Sequence, residues 1–96
     1  MKWSCIILLY LQIIDIDIIP DPKNNNKKCD DKDRSHRVFD IRNKDANERK
    51  CKMECAKNEH CVAFSGIWNK WCVGCKAELS TIHEGTISYM KKGTLI

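Results

Sequence analysis

The sequence has few large apolar residues outside its first twenty positions. Of its 41 apolar residues, 14 lie within residues 1–20, and the other 76 positions carry 27, of which six are cysteines. A segment of this length with so few large apolar residues gains only about 3–5 kcal/mol of folding stability from its hydrophobic core. With 96 residues in all, the chain has no room for a multi-domain enzyme or for the repeated βαβ segments of a dinucleotide-binding fold.

The apolar run from Trp3 to Ile14 is too short for a membrane span. A transmembrane helix needs about 20 apolar residues, whereas two aspartates end this run. Behind a positively charged start, the run is typical of a secretory signal peptide. We therefore predict a signal peptide over residues 1–20, with its cleavage point left open because no small-x-small site is present. The alternative is a buried N-terminal strand, since residues 14–18 alternate between Ile and Asp.

Cysteine is the residue type in which the chain is rich, with seven in total. Cys5 lies in the apolar run and would be removed with a signal peptide, which leaves an even number. An even set of cysteines in a short secreted chain indicates a disulfide framework. The remaining six are Cys29, Cys51, Cys55, Cys61, Cys72 and Cys75.

Residues 21–37 form a polar arm that contains no large apolar residue. Such a stretch cannot bury enough surface to offset its loss of conformational entropy, so we expect it to be loose except where Cys29 holds it. Basic and acidic residues are mixed along the arm, and this mixture argues against a nucleic-acid or heparin patch. The arm is predicted to be a solvated extension of a compact domain over residues 38–96.

The compact domain is predicted to contain one helix and four short strands. The helix is expected over Ala46–Lys57, with Asp45 and Glu48 as a capping-box start. Asn58 is expected to end it in a left-handed conformation. A tight turn at Asn69-Lys70 joins two strands into a hairpin. The predicted strands cover residues 38–41, 61–68, 71–76 and 86–90.

The spacing of the cysteines resembles that of the PAN/apple domain family. The chain reads Cys51-x3-Cys55-x5-Cys61-x2-Phe64, followed by Trp71-Cys72 and a closing strand with Tyr89. The resemblance covers about residues 38–92. It implies a disulfide-rich α+β fold, in which a curved antiparallel sheet packs against one helix. It also implies an extracellular module that binds proteins or carbohydrates without catalysis, and no metal or cofactor is expected.

The resemblance further implies a disulfide pattern. In the family, the second cysteine of the helix bonds to the next cysteine along the chain, here Cys55–Cys61. The first helical cysteine bonds to the second strand of the hairpin, which here contains both Cys72 and Cys75. Their three-residue offset places them on opposite faces of a strand. We favour Cys51–Cys72 with Cys29–Cys75, and the exchange of Cys72 and Cys75 stays open.

Two cysteine patterns suggest other chemistry. Trp71-Cys72-Val73-Gly74-Cys75 matches the redox motif of thioredoxins, but too few residues follow it for the helix and fold that lower the cysteine pKa. An intracellular zinc-binding structural module is the alternative to a secreted binding module, and a small secreted toxin or inhibitor is a third hypothesis. The four zinc ligands would be Cys51, Cys55, Cys72 and Cys75.

The hairpin tip is the predicted ligand-binding site. Trp68 and Trp71 flank the turn, so we expect the two indoles to face each other, with Lys70 supplying charge. Such a platform would stack on a sugar ring or anchor a protein partner. The sequence thus predicts a secreted, non-enzymatic module that recognises an extracellular protein or glycan. It predicts no nucleic-acid partner and no stable membrane insertion after signal cleavage.

Overall fold

The computed structural model describes residues 17–92, which form one α-helix and two antiparallel sheets. The predicted disulfide-rich α+β class is confirmed. The elements are β1 Asp17–Pro20, β2 Lys27–Lys28, β3 Arg37–Arg42, α1 Glu48–Lys57, β4 Ala63–Ile67, β5 Trp71–Cys75, β6 Thr81–Ile82 and β7 Ile87–Lys92. The larger sheet has the strand order β1-β7-β4-β5-β3, and β2 pairs with β6. None of the helical segments among these residues has the length and apolar character to cross a membrane.

The five-stranded sheet is covered on both faces by different parts of the chain. Residues paired across neighbouring strands share a face, because side chains alternate along each strand. Phe64 and its cross-strand partner Tyr89 face α1, and we call this side the helix face. Val73 and Cys75 lie on the other side, the loop face. It is covered by residues 21–36 and 76–86, which we call the loop layer.

Aromatic rings and disulfides fill the space between the helix face and α1. Phe64 is fully buried, and its ring is stacked on Tyr89 with the centroids 4.9 Å apart. Cys51–Cys72 joins α1 to β5, and Cys55–Cys61 joins the end of α1 to the chain entering β4. Apart from these two cysteines, α1 buries none of its side chains fully. The disulfides therefore take the place of the aliphatic residues that the helix lacks.

A second, smaller core lies under the loop layer. Cys29–Cys75 joins the loop layer to β5, and Leu79 packs beside it against Ala63 and Val73. All three disulfides have the favoured pairing, including Cys51–Cys72 and Cys29–Cys75, which the family resemblance leaves open. Cys72 belongs to the helix-face core and Cys75 to the loop-face core. The two cysteines that the sequence could not assign are thus separated by the alternation of β5.

The polar arm is packed against the sheet and not loose as expected. Its consecutive asparagines use their side chains in place of apolar contacts: the Oδ1 of Asn25 accepts the Ser88 N–H at 2.9 Å, and the Oδ1 of Asn26 accepts the Gly85 N–H at 2.9 Å. Asn24 is buried and donates to the Asp21 carboxylate at 2.7 Å. Side-chain amides can order a segment that has no large apolar residue, because they satisfy backbone groups of its neighbours.

Both ends of the helix differ from the prediction. The N-cap is Asn47, whose side chain accepts the Lys50 N–H at 2.9 Å, whereas Asp45 lies in a short 3-10 turn before it. Asn58 ends the helix with an extended φ of −89°, not in the left-handed conformation. Its side chain donates to the Val38 carbonyl at 3.3 Å. Its side-chain oxygen also accepts the His60 N–H at 2.9 Å, so a local turn and a contact with β3 accompany the extended conformation.

Strand β1 lies inside the segment predicted to be a signal peptide. It pairs with β7, with Asp17 opposite Lys92 and Pro20 opposite Tyr89. Residues 1–16, which contain the apolar run, lie outside the described residues, so the signal peptide stays a prediction. Cleavage after Pro20 would remove an edge strand of the sheet, whereas cleavage before Asp17 would leave the sheet complete.

Candidate functional site

The two tryptophans predicted to form one platform lie on opposite faces of the sheet. Trp68 packs against the helix-face core, with its ring centroid 6.1 Å from that of Tyr89. Trp71 packs against the loop-face core, and its ring meets His83 edge-on at 5.2 Å. Both indoles are half-buried. The prediction that they face each other across the hairpin is therefore wrong.

The length of the hairpin loop explains this separation. The loop comprises Trp68 to Lys70, one residue more than the predicted two, so Ile67 and not Trp68 pairs with Trp71. Trp68 follows Ile67 along the chain and projects to the other side. Asn69 adopts a left-handed φ of 70°, which an asparagine tolerates in a tight loop. Lys70 is exposed at the tip.

Trp71 instead forms one wall of a small polar cleft on the loop face, which we call the Trp71 cleft. The cleft has a volume of about 170 Å³. Arg42 is the cross-strand neighbour of Trp71 on β3, and Arg37 pairs with Cys75 at the other end of the same two strands. Three basic side chains, one histidine and one indole thus surround one small space. Its lining residues are Lys28, Arg37, Arg42, Trp71, Val73 and His83.

The three cations of the Trp71 cleft come from two strands, β2 and β3, and two aspartates partly neutralise them. Lys28, on β2, has its Nζ 3.1 Å from the Asp31 carboxylate, and Arg37 Nη2 is 3.4 Å from the same oxygen. Arg42 binds Asp40 through Nε at 2.7 Å, and this hydrogen bond raises the pKa of the Arg42 guanidinium. Arg42 is therefore held in position and charged.

The sequence reasoning missed Lys28, Arg37, Arg42 and His83. A prediction of strand β3 as far as residue 42 would have placed Arg42 beside Trp71, because the register of β3 against β5 brings them together. No local sequence pattern around Lys28 or His83 indicates a binding site, because only the fold of the loop layer brings them to the cleft.

Two larger clefts flank the exposed Met53 on the outer side of α1, with volumes of about 340 and 380 Å³. Most of their charged side chains already pair with one another. Lys50 Nζ lies 2.9 Å from Asp45, and Lys57 Nζ lies 2.9 Å from Glu54. Of the charged side chains that line these clefts, only Arg49 has no ion-pair partner among the described residues, and no aromatic side chain lines either cleft.

The alternative zinc site is not assembled in this structure. All four of its proposed ligands are in disulfides, Cys72 with Cys51 and Cys75 with Cys29, and Cys55 with Cys61. Cys72 and Cys75 also lie on opposite faces of β5. Among residues 17–92, no group of three or more histidine, cysteine or acidic side chains is arranged to hold a metal ion.

Comparison with known proteins identifies no relative of the chain. No family model matches the chain, and no curated protein or solved structure matches it. The PAN/apple resemblance therefore stays a prediction from the cysteine spacing. What the chain binds has to be inferred from the Trp71 cleft itself.

Proposed function

We propose that the chain is a secreted, non-enzymatic module that binds an extracellular carbohydrate through the Trp71 cleft. Three disulfides in a domain of this size are compatible with an oxidising, extracellular environment. The apolar run before Asp17 supports export of the chain. The cleft contains an indole and several hydrogen-bond donors, which are groups that bind a ligand.

The observation that carries this proposal is the half-buried indole of Trp71 beside several hydrogen-bond donors. A sugar ring has an apolar C–H face that packs on an aromatic ring and hydroxyls at its rim that bond to polar side chains. Ligand sites generally combine an apolar surface with a few placed polar groups in this way. Arg42 and His83 stand next to Trp71 and supply such groups.

The size of the cleft favours a sugar over a protein partner. At about 170 Å³ it accommodates a small group, whereas a stable protein–protein interface covers roughly 800 Å² on each partner. An extracellular protein remains the other partner class, and a toxin or inhibitor would also act through a protein target. The experiment below distinguishes these two protein-binding hypotheses from carbohydrate binding.

Fluorescence of Trp71 tests the proposal directly. Replacing Trp3 and Trp68 by Phe leaves Trp71 as the only tryptophan in the chain. Titration with a panel of neutral and acidic oligosaccharides is expected to change its emission and to protect it from iodide quenching. Trp71→Ala is expected to lose glycan binding while the unfolding transition stays cooperative. Glycan binding that survives in Trp71→Ala, or emission that no glycan changes, would overturn the proposal.

Lys70→Ala is the matched control, because Lys70 belongs to the tip of the same hairpin but does not line the cleft. The variant is expected to bind glycans like the parent chain. If Lys70→Ala loses glycan binding and Trp71→Ala retains it, the binding site is the hairpin tip and not the Trp71 cleft. Capture of a protein that Trp71→Ala retains would favour a protein partner at another surface.

Secretion is tested separately by the intact mass of the protein recovered from the medium. The proposal expects an N-terminus at or before Asp17 and the mass of a chain with no reduced thiol. A chain that stays in the cell with alkylatable cysteines would favour an intracellular role.

A further inference from the structure

A carboxylate of the protein itself, that of Asp31, lies beside two cations of the Trp71 cleft. The Oδ1 atom of Asp31 is 3.1 Å from Nζ of Lys28 and 3.4 Å from Nη2 of Arg37. These two cations are fixed relative to each other by Cys29–Cys75, since Cys29 follows Lys28 in the chain and Cys75 pairs with Arg37 across the strands. One small anionic group is thus held between two positioned cations.

The contact made by Asp31 satisfies these cations incompletely. Its side chain is 49% exposed, and 3.4 Å is long for a hydrogen bond between charged groups, which is typically about 2.7–2.9 Å. The Nε of Arg37 has no hydrogen-bond partner among the described residues, but it is buried, so it is not itself open to a ligand from solvent. An anion with several oxygens could engage a guanidinium at more than one N–H, as a single carboxylate oxygen does not.

The third cation of the cleft is held differently. Arg42 binds Asp40 through both Nε, at 2.7 Å, and Nη2, at 2.9 Å. This paired geometry leaves Nη1 for another acceptor. Because Arg42 is the cross-strand neighbour of Trp71, it stands between the aromatic wall and the sheet edge. The cleft therefore has an aromatic part at Trp71 and a basic part whose anion, Asp31, belongs to the protein.

We propose that Lys28 and Arg37 form a subsite for the sulfate or carboxylate of an acidic glycan, and that Asp31 occupies this subsite until the ligand displaces it. This inference rests on the proposed function, because it names the class of sugar that the Trp71 cleft takes. It assigns Asp31 the role of an internal competitor. Acidic glycans bind in spite of Asp31, and neutral glycans do not compete with it.

Asp31→Asn tests the competitor role, because it keeps the size of the side chain and removes its charge. Binding of a sulfated heparin-type hexasaccharide is compared with that of its desulfated, carboxyl-reduced form by calorimetry. The variant is expected to bind the acidic hexasaccharide about two- to fivefold more tightly, the range expected for release of an exposed ion pair. Its affinity for the neutral form is expected to be unchanged.

Asp45→Asn is the matched control for net charge. Asp45 is also exposed and paired with a lysine, but it lies beside α1 on the opposite side of the sheet. It is expected to leave the affinity for the acidic hexasaccharide unchanged. Equal tightening in Asp31→Asn and Asp45→Asn would show a general charge effect and would overturn the competitor role. Arg37→Gln is expected to lose the preference for the acidic form and to keep binding of the neutral form.

The two proposals fail in different ways. Glycan binding that depends on Trp71 but is indifferent to Asp31→Asn would overturn the anion subsite and keep the carbohydrate function. Titration with inorganic sulfate tests the anion subsite without a sugar. If Asp31→Asn binds sulfate more tightly than the parent chain, and no glycan binds either protein, the subsite stands and the carbohydrate function falls.

Discussion

The ring of Phe39 lies over the backbone of Gly74, its cross-strand neighbour in β5. Gly74 is also the partner of Phe64 on its other side, and the two phenyl rings have centroids 6.2 Å apart. A side chain at position 74 would overlap the Phe39 ring. The aromatic row on the helix face therefore depends on one residue that has no side chain.

Gly74→Ala is expected to lower the free energy of unfolding by about 1–3 kcal/mol, since added atoms in a packed core displace their neighbours. Urea denaturation of the single variants and of Phe39→Ala/Gly74→Ala measures this effect. In the Phe39→Ala background the added methyl group has room, so the cost of Gly74→Ala should shrink. Equal costs in both backgrounds would contradict the contact with Phe39.

The three disulfides are expected to differ in their contribution to stability according to the chain length that each one closes. Cys29–Cys75 spans 46 residues and Cys55–Cys61 spans 6. The loop-closure entropy predicts losses of about 4 kcal/mol for replacement of the first pair by alanine and about 2 kcal/mol for the second. Urea denaturation of the paired alanine variants tests this order. A larger loss for Cys55–Cys61 would show that strain or packing dominates over entropy.

Asn25 is expected to stabilise the loop layer through its bond to the Ser88 N–H. Asn25→Ala would leave that backbone donor without its acceptor, at a cost of about 1–2 kcal/mol. Asn25→Asp keeps a side-chain oxygen at the same position and should lose less. Hydrogen exchange of the Ser88 amide reports the bond locally. Unchanged exchange in Asn25→Ala would contradict this role.

Tyr89 is expected to make the stability depend on pH above 10. Burial, together with the nearby Glu48 carboxylate, raises the pKa of Tyr89 from 10.0 to about 12. The folded protein prefers the neutral phenol, so its contribution of up to about 2–3 kcal/mol is complete below pH 10 and is lost as the pH rises through 12. In a Tyr10→Phe chain, tyrosinate absorbance of the native state measures this pKa. A midpoint near 10 would contradict the burial.

Glu48→Gln separates the two causes of the raised Tyr89 pKa. Removal of the carboxylate should bring the Tyr89 midpoint part of the way toward 10, because burial in the core is unchanged. Thermal denaturation at pH 8, where the phenol is neutral in both states, controls for a general loss of stability. A midpoint unaffected by Glu48→Gln would assign the whole effect to burial.

The sequence predicted those features that depend on local pattern. The helix, the hairpin and the final strand follow from periodicity and turn residues, and the resemblance implies Cys55–Cys61 and a bond from Cys51 to the hairpin. The predictions are wrong where a shift of one residue in the strand pairing moves a side chain to the other face of the sheet. A three-residue loop in place of a two-residue turn puts Trp68 and Trp71 on opposite faces, because the side-chain period of a strand is two residues.

The loop layer could not be predicted for a different reason. Its order depends on bonds between positions about 60 residues apart, such as Asn25 with Ser88 and Asn26 with Gly85. Composition alone suggested disorder there, since no large apolar residue is present. Composition therefore predicts that Lys28 lies in a solvated arm, whereas the fold brings it to the Trp71 cleft.

Strand β5 carries a disulfide on each of its faces, one to α1 and one to the loop layer. A protease that cuts the exposed stretch between Asp31 and Ser35 therefore produces no separate fragment, because the piece that ends before the cut stays bonded through Cys29 to Cys75. Only reduction would release it. A single nick at this stretch changes the connectivity of the chain but not its covalent mass, apart from one added water.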